Sequence, residues 1–226
     1  MKKIRAPFFM FNPKSYLYGE KLYELAKYAD QLAEQYEINV FVTVPFAEIK
    51  IVNEITENIV ITAQHMDVLD PGRGMGATLP ESLFFAGARA CVLNHAEYPL
   101  HYSVLEKTIK RAKELDMVTI VCASGYNEAK AVALLEPEII LCEPTELIGS
   151  GTVSSDDYIK ETISAIKKTN QKIYVMQGAG VSTSEDIKRN LELGSDANGA
   201  TSSITTAKNP SIVLKKMIEA TAKYKT

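Results

Sequence analysis

The run "IILCEPTELIGSG", residues 139–151, carries an apolar stretch into one carboxylate, Glu143, and then Pro144. A strand reaching solvent would explain an isolated glutamate, so Glu143 needs companions before it means chemistry. Companions of the right types exist. Asn12 and Lys14 follow the apolar run "PFFMF", and Asn94, His95 and Glu97 follow "ARACVL". Gly178, Gly180 and Ser182 follow "KIYVMQ", and Thr201, Ser202 and Ser203 follow "ANGA". An ammonium, an imidazole and carboxylates can move protons and steady negative charge, and glycine-rich turns let backbone N–H groups approach an anion. Each residue also has an ordinary reading: Lys14 as a solvated loop cation, His95 as a hydrogen-bonded rim histidine, the glycines as turn formers. Their repeated position, just after an apolar run, is what demands a common explanation.

The elements that would carry them alternate along the chain. Strands are expected over 7–12, 39–44, 58–64, 88–94, 117–123, 138–143, 172–177 and, more weakly, 197–201. Most are nearly continuous apolar runs, as in strands buried on both faces of a parallel sheet. Between them, residues 19–36 place Leu22, Leu25, Ala26, Ala29 and Leu32 on one helical face. The stretches 103–115, 156–169 and 211–224 repeat that pattern. Ser103, Ser154 or Ser155, and Ser182 are candidate N-caps, and Glu185 stands three residues after Ser182, the spacing of a capping box. Eight strand–helix units in 226 residues fit a closed (β/α)₈ barrel forming one domain, spanning 1–226. An open doubly wound sheet fits less well, because no GxGxxG follows the first strand. In such a barrel the chemistry belongs at the C-terminal strand ends, where all the residues above fall.

Composition narrows the classes. The chain is 46% hydrophobic, with a formal net charge of −3. That balance argues against a nucleic-acid footprint, which needs a basic face. The basic start, with Lys2, Lys3 and Arg5, precedes an apolar run too short to span a membrane, and Asn12-Pro13-Lys14 interrupts it before any cleavage pattern, so a cytoplasmic location is expected. Three cysteines, Cys91, Cys122 and Cys142, sit in strand-like runs without CxxC spacing, which points to buried structural thiols rather than disulfides or zinc.

Taken together, "FNPKSY", "AQHMD", "LNHAE", "CEPTELIGSG" and "GAGVS", in this order, resemble the triosephosphate isomerase family in its short archaeal-type form. The resemblance implies that Glu143 is a catalytic base moving a proton between adjacent carbons of a phosphorylated hydroxy-carbonyl compound. His95 is then the electrophile on the carbonyl, Lys14 supplies positive charge, Asn12 adds a hydrogen bond and Glu97 orients its neighbours. The segment 144–151 matches the family's closing lid, with Ile148 and Gly149 toward the substrate. Phosphate would meet Gly178, Gly180, Ser182, Thr201, Ser202 and Ser203. No metal or organic cofactor is implied, the partner is a small sugar phosphate, and the chain is expected to form a homo-oligomer, dimer or tetramer.

Three positions depart from the family pattern. Ser203 stands where glycine is usual. Met75 replaces a threonine in "PGRGMGATLPE", the loop that reaches into a neighbouring subunit, and Pro13 replaces an aromatic residue. The changes at Met75 and Ser203 keep open the isomerisation of another short ketose phosphate, such as a tetrulose phosphate. A silent phosphosugar-binding barrel is disfavoured, because Lys14, His95 and Glu143 are all present.

Overall fold

The eight apolar runs form strands because their side chains find apolar neighbours on both sides. In the computed structural model, which describes residues 4–225, β1 (Phe8–Phe11), β2 (Val40–Val44), β3 (Val60–Ala63) and β4 (Ala90–Leu93) are followed by β5 (Val118–Ala123), β6 (Ile139–Cys142), β7 (Tyr174–Gln177) and β8 (Ala197–Ala200). Every neighbouring pair is parallel, and β8 returns to β1 with Met10 opposite Gly199, so the sheet closes into a barrel. Helices surround it: α1 (Gly19–Tyr36), α2 (Ile49–Ile55), α3 (Pro80–Ala86), α4 (Tyr102–Glu114), α5 (Tyr126–Ala133), α6 (Asp156–Thr169), α7 (Ser184–Glu192), the short α8 (Ser202–Thr205) and α9 (Pro210–Ala222). This is the (β/α)₈ fold that the alternation of elements anticipates. Lys2 and Lys3 lie outside the described residues.

Strand alternation divides the core into two shells. Phe8, Met10, Phe41, Ile120, Ile139 and Leu141 fill the barrel interior. Phe9, Phe11, Val40, Val42, Val121 and Ile140 face outward and pack under the helices. Each large apolar side chain buried this way contributes about 1.5–3 kcal/mol relative to exposure. Leu22, Leu25, Ala26, Ala29 and Leu32 are the buried face of α1, as their spacing requires. Cys91, Cys122 and Cys142 are free and buried, and burial pushes all three thiols upward from their ordinary pKa.

The helix starts differ in detail from expectation. Ser155 caps α6, accepting from the Tyr158 N–H, as anticipated. Ser103 lies within α4, whose N-cap is His101 with no side-chain bond. Helix α7 is capped by Thr183, not Ser182, and its capping box pairs Thr183 with Asp186 rather than Glu185. The one-residue shift follows from reach: Asp186 Oδ2 accepts from the N–H groups of both Ser182 and Thr183, tying down the whole β7–α7 connection. No described helix is long and apolar enough to cross a membrane.

Candidate active site

Alternation explains why Glu143 is not simply reaching solvent. Residues 139 and 141 point into the barrel, so 143, two further on, points into its mouth. Its N–H donates to Ala123 O at 3.0 Å, which extends the strand pairing to this residue. The side chain is only 15% exposed, and Glu143 Oε2 lies 3.9 Å from His95 Nε2. The same parity, 8–10–12 and 41–43, sends Asn12 and Thr43 into the mouth, where Thr43 Oγ1 donates to Asn12 Oδ1.

One side of the mouth is built from side chains locked to one another. Asn12 Oδ1 also accepts from the Lys14 N–H at 3.0 Å, and Gln64 Nε2 donates to Lys14 O at 2.8 Å. These bonds hold Lys14 at φ 46°, a left-handed conformation unusual for lysine, and aim its ammonium at Glu97 Oε1, 2.7 Å away. His95 Nδ1 accepts from the Glu97 N–H at 3.1 Å. A neutral imidazole bonded this way carries its proton on Nε2, the nitrogen facing Glu143 and the cavity. Asn94, at φ 57°, closes the turn from behind: its Oδ1 accepts from the Leu100 N–H and its Nδ2 donates to Glu128 and to Cys122 O.

The electrostatics suit proton transfer. Burial pushes the Glu143 carboxyl up to about 7, while the Lys14 charge pulls it down. Burial and then the Lys14 charge hold His95 below its ordinary pKa, so it stays neutral at pH 7. For Glu97 burial raises the pKa, but the Lys14 hydrogen bond and charge outweigh it and keep the carboxylate ionised. The arrangement is a partly protonatable base, a neutral hydrogen-bond donor and a neutralised ion pair around one space.

The other side of the mouth is built from backbone. A cavity of about 200 Å³ extends from Lys14, His95 and Glu143 to Gly149, Gly180 and Ser202. Gly178, Ser182, Thr201 and Ile148 also line it. Gly178 is glycine for a reason of space: a Cβ there would overlap the Glu143 carboxylate. Gly180, at φ 71°, lets the Thr152 carbonyl lie against it, so the end of the 144–151 segment rests on the β7–α7 connection. Ser203 stands apart from this group. Its hydroxyl donates to Val181 O at 2.9 Å, and it does not line the cavity. Ser182 lines the cavity, but its hydroxyl is engaged with Gly180 O. Thr43 and Gln64 are supporting residues to which the sequence assigned no role, although Gln64 lies within "AQHMD". Thr43 was accessible through strand parity; the Gln64 contact to Lys14 O spans fifty residues and has no local signal.

Among the described residues, no group of three or more His, Cys, Asp or Glu side chains is placed to hold a metal ion. A family model described as triosephosphate isomerase matches residues 7–209. The chain is 34% identical over 221 residues to the triosephosphate isomerase of Sulfolobus acidocaldarius, covering 96% of this chain and 95% of that protein. It is 33% identical to that of Methanothermus fervidus over 217 residues, 94% of this chain and 97% of the relative. With that of Methanobacterium bryantii the identity is 35% over 210 residues, 90% and 92% of the two chains.

Proposed function

The chain belongs to the triosephosphate isomerase family, and on that footing we propose that it interconverts glyceraldehyde 3-phosphate and dihydroxyacetone phosphate through an enediolate. The observation that carries the reading is the desolvated Glu143 carboxylate facing the Nε2 side of a neutral His95. Glu143 takes a proton from the carbon next to the carbonyl. His95 Nε2–H and the Lys14 ammonium stabilise the oxygen on which charge develops. The proton is then returned to the neighbouring carbon, and Asn12 and Glu97 hold Lys14 and His95 in place throughout. A base at pKa about 7 suits this work: about half is ionised at neutral pH, and it is basic enough to accept the proton.

The phosphate is assigned to the space among Gly149, Gly180, Ser182, Thr201 and Ser202, where glycine backbone gives an anion close approach to N–H groups. Gly178 borders it, whereas Ser203 serves by holding Val181. The 144–151 segment acts as a lid whose closure excludes water. The test is a coupled assay of both triose phosphates with the purified chain. Turnover of neither, with the protein folded, removes the reading.

A homo-oligomer, at least a dimer, is part of the proposal. Met75 is fully exposed at the tip of the β3–α3 loop, with Phe85 86% exposed on the following helix. A second copy that buries Met75 gains about 1.5–3 kcal/mol per site, twice over in a two-fold interface. Met75→Asp should therefore weaken the dimer by about a hundredfold or more in Kd. Sedimentation of the unaltered chain as a monomer at micromolar concentration, with specific activity constant on dilution, removes this part.

A further inference from the structure

His95 and Glu143 hang from different strands, and part of the space between their supports is open. A cavity of about 220 Å³ is lined by Asn94, Ser124, Glu128, Glu143 and Ile148 among others. Where side chains are not packed, hydrogen bonds must hold the neighbouring backbone, and here one carboxylate does so. Glu128, in the first turn of α5, accepts from Asn94 Nδ2 at 2.9 Å through Oε1. Its Oε2 accepts from the Ser124 N–H at 2.8 Å and from the Ser124 hydroxyl at 2.6 Å.

Each end of this bridge leads to a reacting group. Asn94 immediately precedes His95, in a left-handed conformation, and its amide is fully committed. Its Oδ1 accepts from the Leu100 N–H at 3.0 Å, and its Nδ2 donates to Cys122 O at 3.1 Å as well as to Glu128. Ser124 follows Ala123, whose carbonyl accepts from the Glu143 N–H at 3.0 Å. Tyr158, in α6 beyond the lid segment, donates its hydroxyl to Ser124 O at 3.1 Å. The Ser124 bonds alone would be an ordinary contact at a helix start. The Asn94 bond is not, because it reaches a residue 34 positions earlier on another connection.

We propose that Glu128 is a positioning residue for the proton transfer: by joining Asn94 to Ser124 it sets the spacing between His95 Nε2 and Glu143 Oε2, 3.9 Å apart. This rests on the isomerase reading above and adds to it a residue that does not line the phosphate cavity. The choice of glutamate follows from its partners. An ionised carboxylate only accepts, and Asn94 Nδ2, the Ser124 N–H and the Ser124 hydroxyl all donate to it. An amide of the same shape cannot serve all three. With its oxygen toward Ser124, its NH2 meets the Asn94 NH2. Asn94 cannot turn over in response without losing its bonds to Leu100 and Cys122.

The experiment measures kcat and KM for both triose phosphates, with urea unfolding alongside, on the full chain and its variants. Glu128→Gln should lower kcat by about tenfold or more while KM stays within about threefold, because it moves the reacting groups and not the phosphate loops. Asn94→Asp tolerates the left-handed φ and keeps the acceptor for Leu100, but it breaks the same bond from the other side. It should lower kcat by a similar factor. In the double variant the new amide donates to the new carboxylate, so the bond returns with its direction reversed. Its kcat should exceed that of Asn94→Asp alone by about threefold or more, a coupling expected of residues in direct contact. Glu138→Gln is the matched control, since Glu138 Oε2 accepts from the Thr119 N–H at 2.9 Å and the Thr119 hydroxyl at 2.7 Å at the opposite end of the barrel. It should lower the unfolding midpoint and leave kcat within about twofold, as a distant and independent site does. A folded Glu128→Gln protein with kcat within about threefold of the unaltered chain overturns the inference. A rise in KM as large as the fall in kcat, an equal fall in Glu138→Gln, or a double variant no better than Asn94→Asp overturns it too. All four leave the isomerase reading standing. Turnover of neither triose by the unaltered chain removes that reading, and this inference with it. If Glu128→Gln alone does not fold, Asn94→Asp and the double variant decide the matter.

Discussion

The two sides of the barrel mouth are built by different means. Around His95 the side chains and the backbone that carries them are tied together: Lys14 to Glu97, Glu97 N–H to His95 Nδ1, Tyr98 N–H to His95 O, Gln64 to Lys14 O. Around the 144–151 segment the hydrogen bonds stay local. Among the described residues, Leu147, Ile148, Ser150 and Thr152 bond only within 144–152, and Gly149 and Gly151 take left-handed φ values of 74° and 76°. A segment bonded only to itself can move as a unit without breaking the barrel's own hydrogen bonds. On the proposed function, the chemistry side is fixed before substrate arrives and the phosphate side is free to close on it. Glu143 stands where the two meet, at the first hinge, before Pro144.

The largest effect should come from that meeting point. Glu143→Asp withdraws the carboxylate by about one methylene, and a displacement of about 1 Å can cost a hundredfold or more in kcat. Binding of an unreactive phosphate analogue should change little. Near-normal kcat would remove Glu143 from the proton transfer. The pH profile sharpens the same point. A base must be ionised to act, and burial places this carboxyl at about 7 in the free protein. The kcat/KM should therefore fall on the acid side, approaching about tenfold per pH unit once pH is well below that value. In Glu143→Asp this limb should move, because the shorter side chain sits differently between Gly178 and His95. An acid limb at the ordinary carboxylate pKa would mean that the carboxylate is not desolvated when it reacts.

A smaller effect, of a different kind, is expected across the mouth. Gly180→Ala puts a Cβ into the Thr152 carbonyl and forces a left-handed φ on an alanine. Backbone strain of this type costs about 1–3 kcal/mol. Because it falls on the phosphate side, it should raise KM by about tenfold or more while lowering kcat less. If kcat falls and KM does not, the two sides are not separate in function, and the contrast drawn above is wrong.

Much of this was legible in the sequence because it follows from alternation. Continuous apolar strands anticipated the parallel barrel, and among the residues just past them Asn12, Lys14, His95 and Glu143 line one cavity. Short helices were harder. The seven- and eight-residue α2, α3 and α5 carry too few turns for a clear periodicity. At α7 the sequence spacing points to Ser182 with Glu185, whereas the fold uses Thr183 with Asp186, one residue on. Ser203 illustrates a different limit. It is adjacent to Ser202, which lines the phosphate cavity, yet it turns to Val181 because α8 rotates successive residues by about 100°. A cavity of about 310 Å³ beside Lys14 and His95 has no sequence signature, since Phe46, Thr78 and Tyr98 meet only when the barrel closes.

The smallest effect tests whether the phosphate side needs any rigidity at all. Thr183 Oγ1 accepts from the Asp186 N–H, and Asp186 Oδ2 accepts in return from the Ser182 and Thr183 N–H groups and the Thr183 hydroxyl. This box fixes the start of α7, and through Ser182 it fixes one wall of the phosphate cavity. Thr183→Ala removes the reciprocal bond but leaves Asp186 its two backbone donors, so it should cost about 1 kcal/mol in stability by urea unfolding. If the wall must be held for phosphate to bind, KM should rise by a few-fold, about the factor that 1 kcal/mol represents, with kcat unchanged. Thr183→Ser restores an oxygen at the same place and should recover both values. Loss of stability without any change in KM would make the box a helix cap and nothing more. It would also confine the flexible part of the phosphate side to the lid, where Gly149 and Gly151 already provide it.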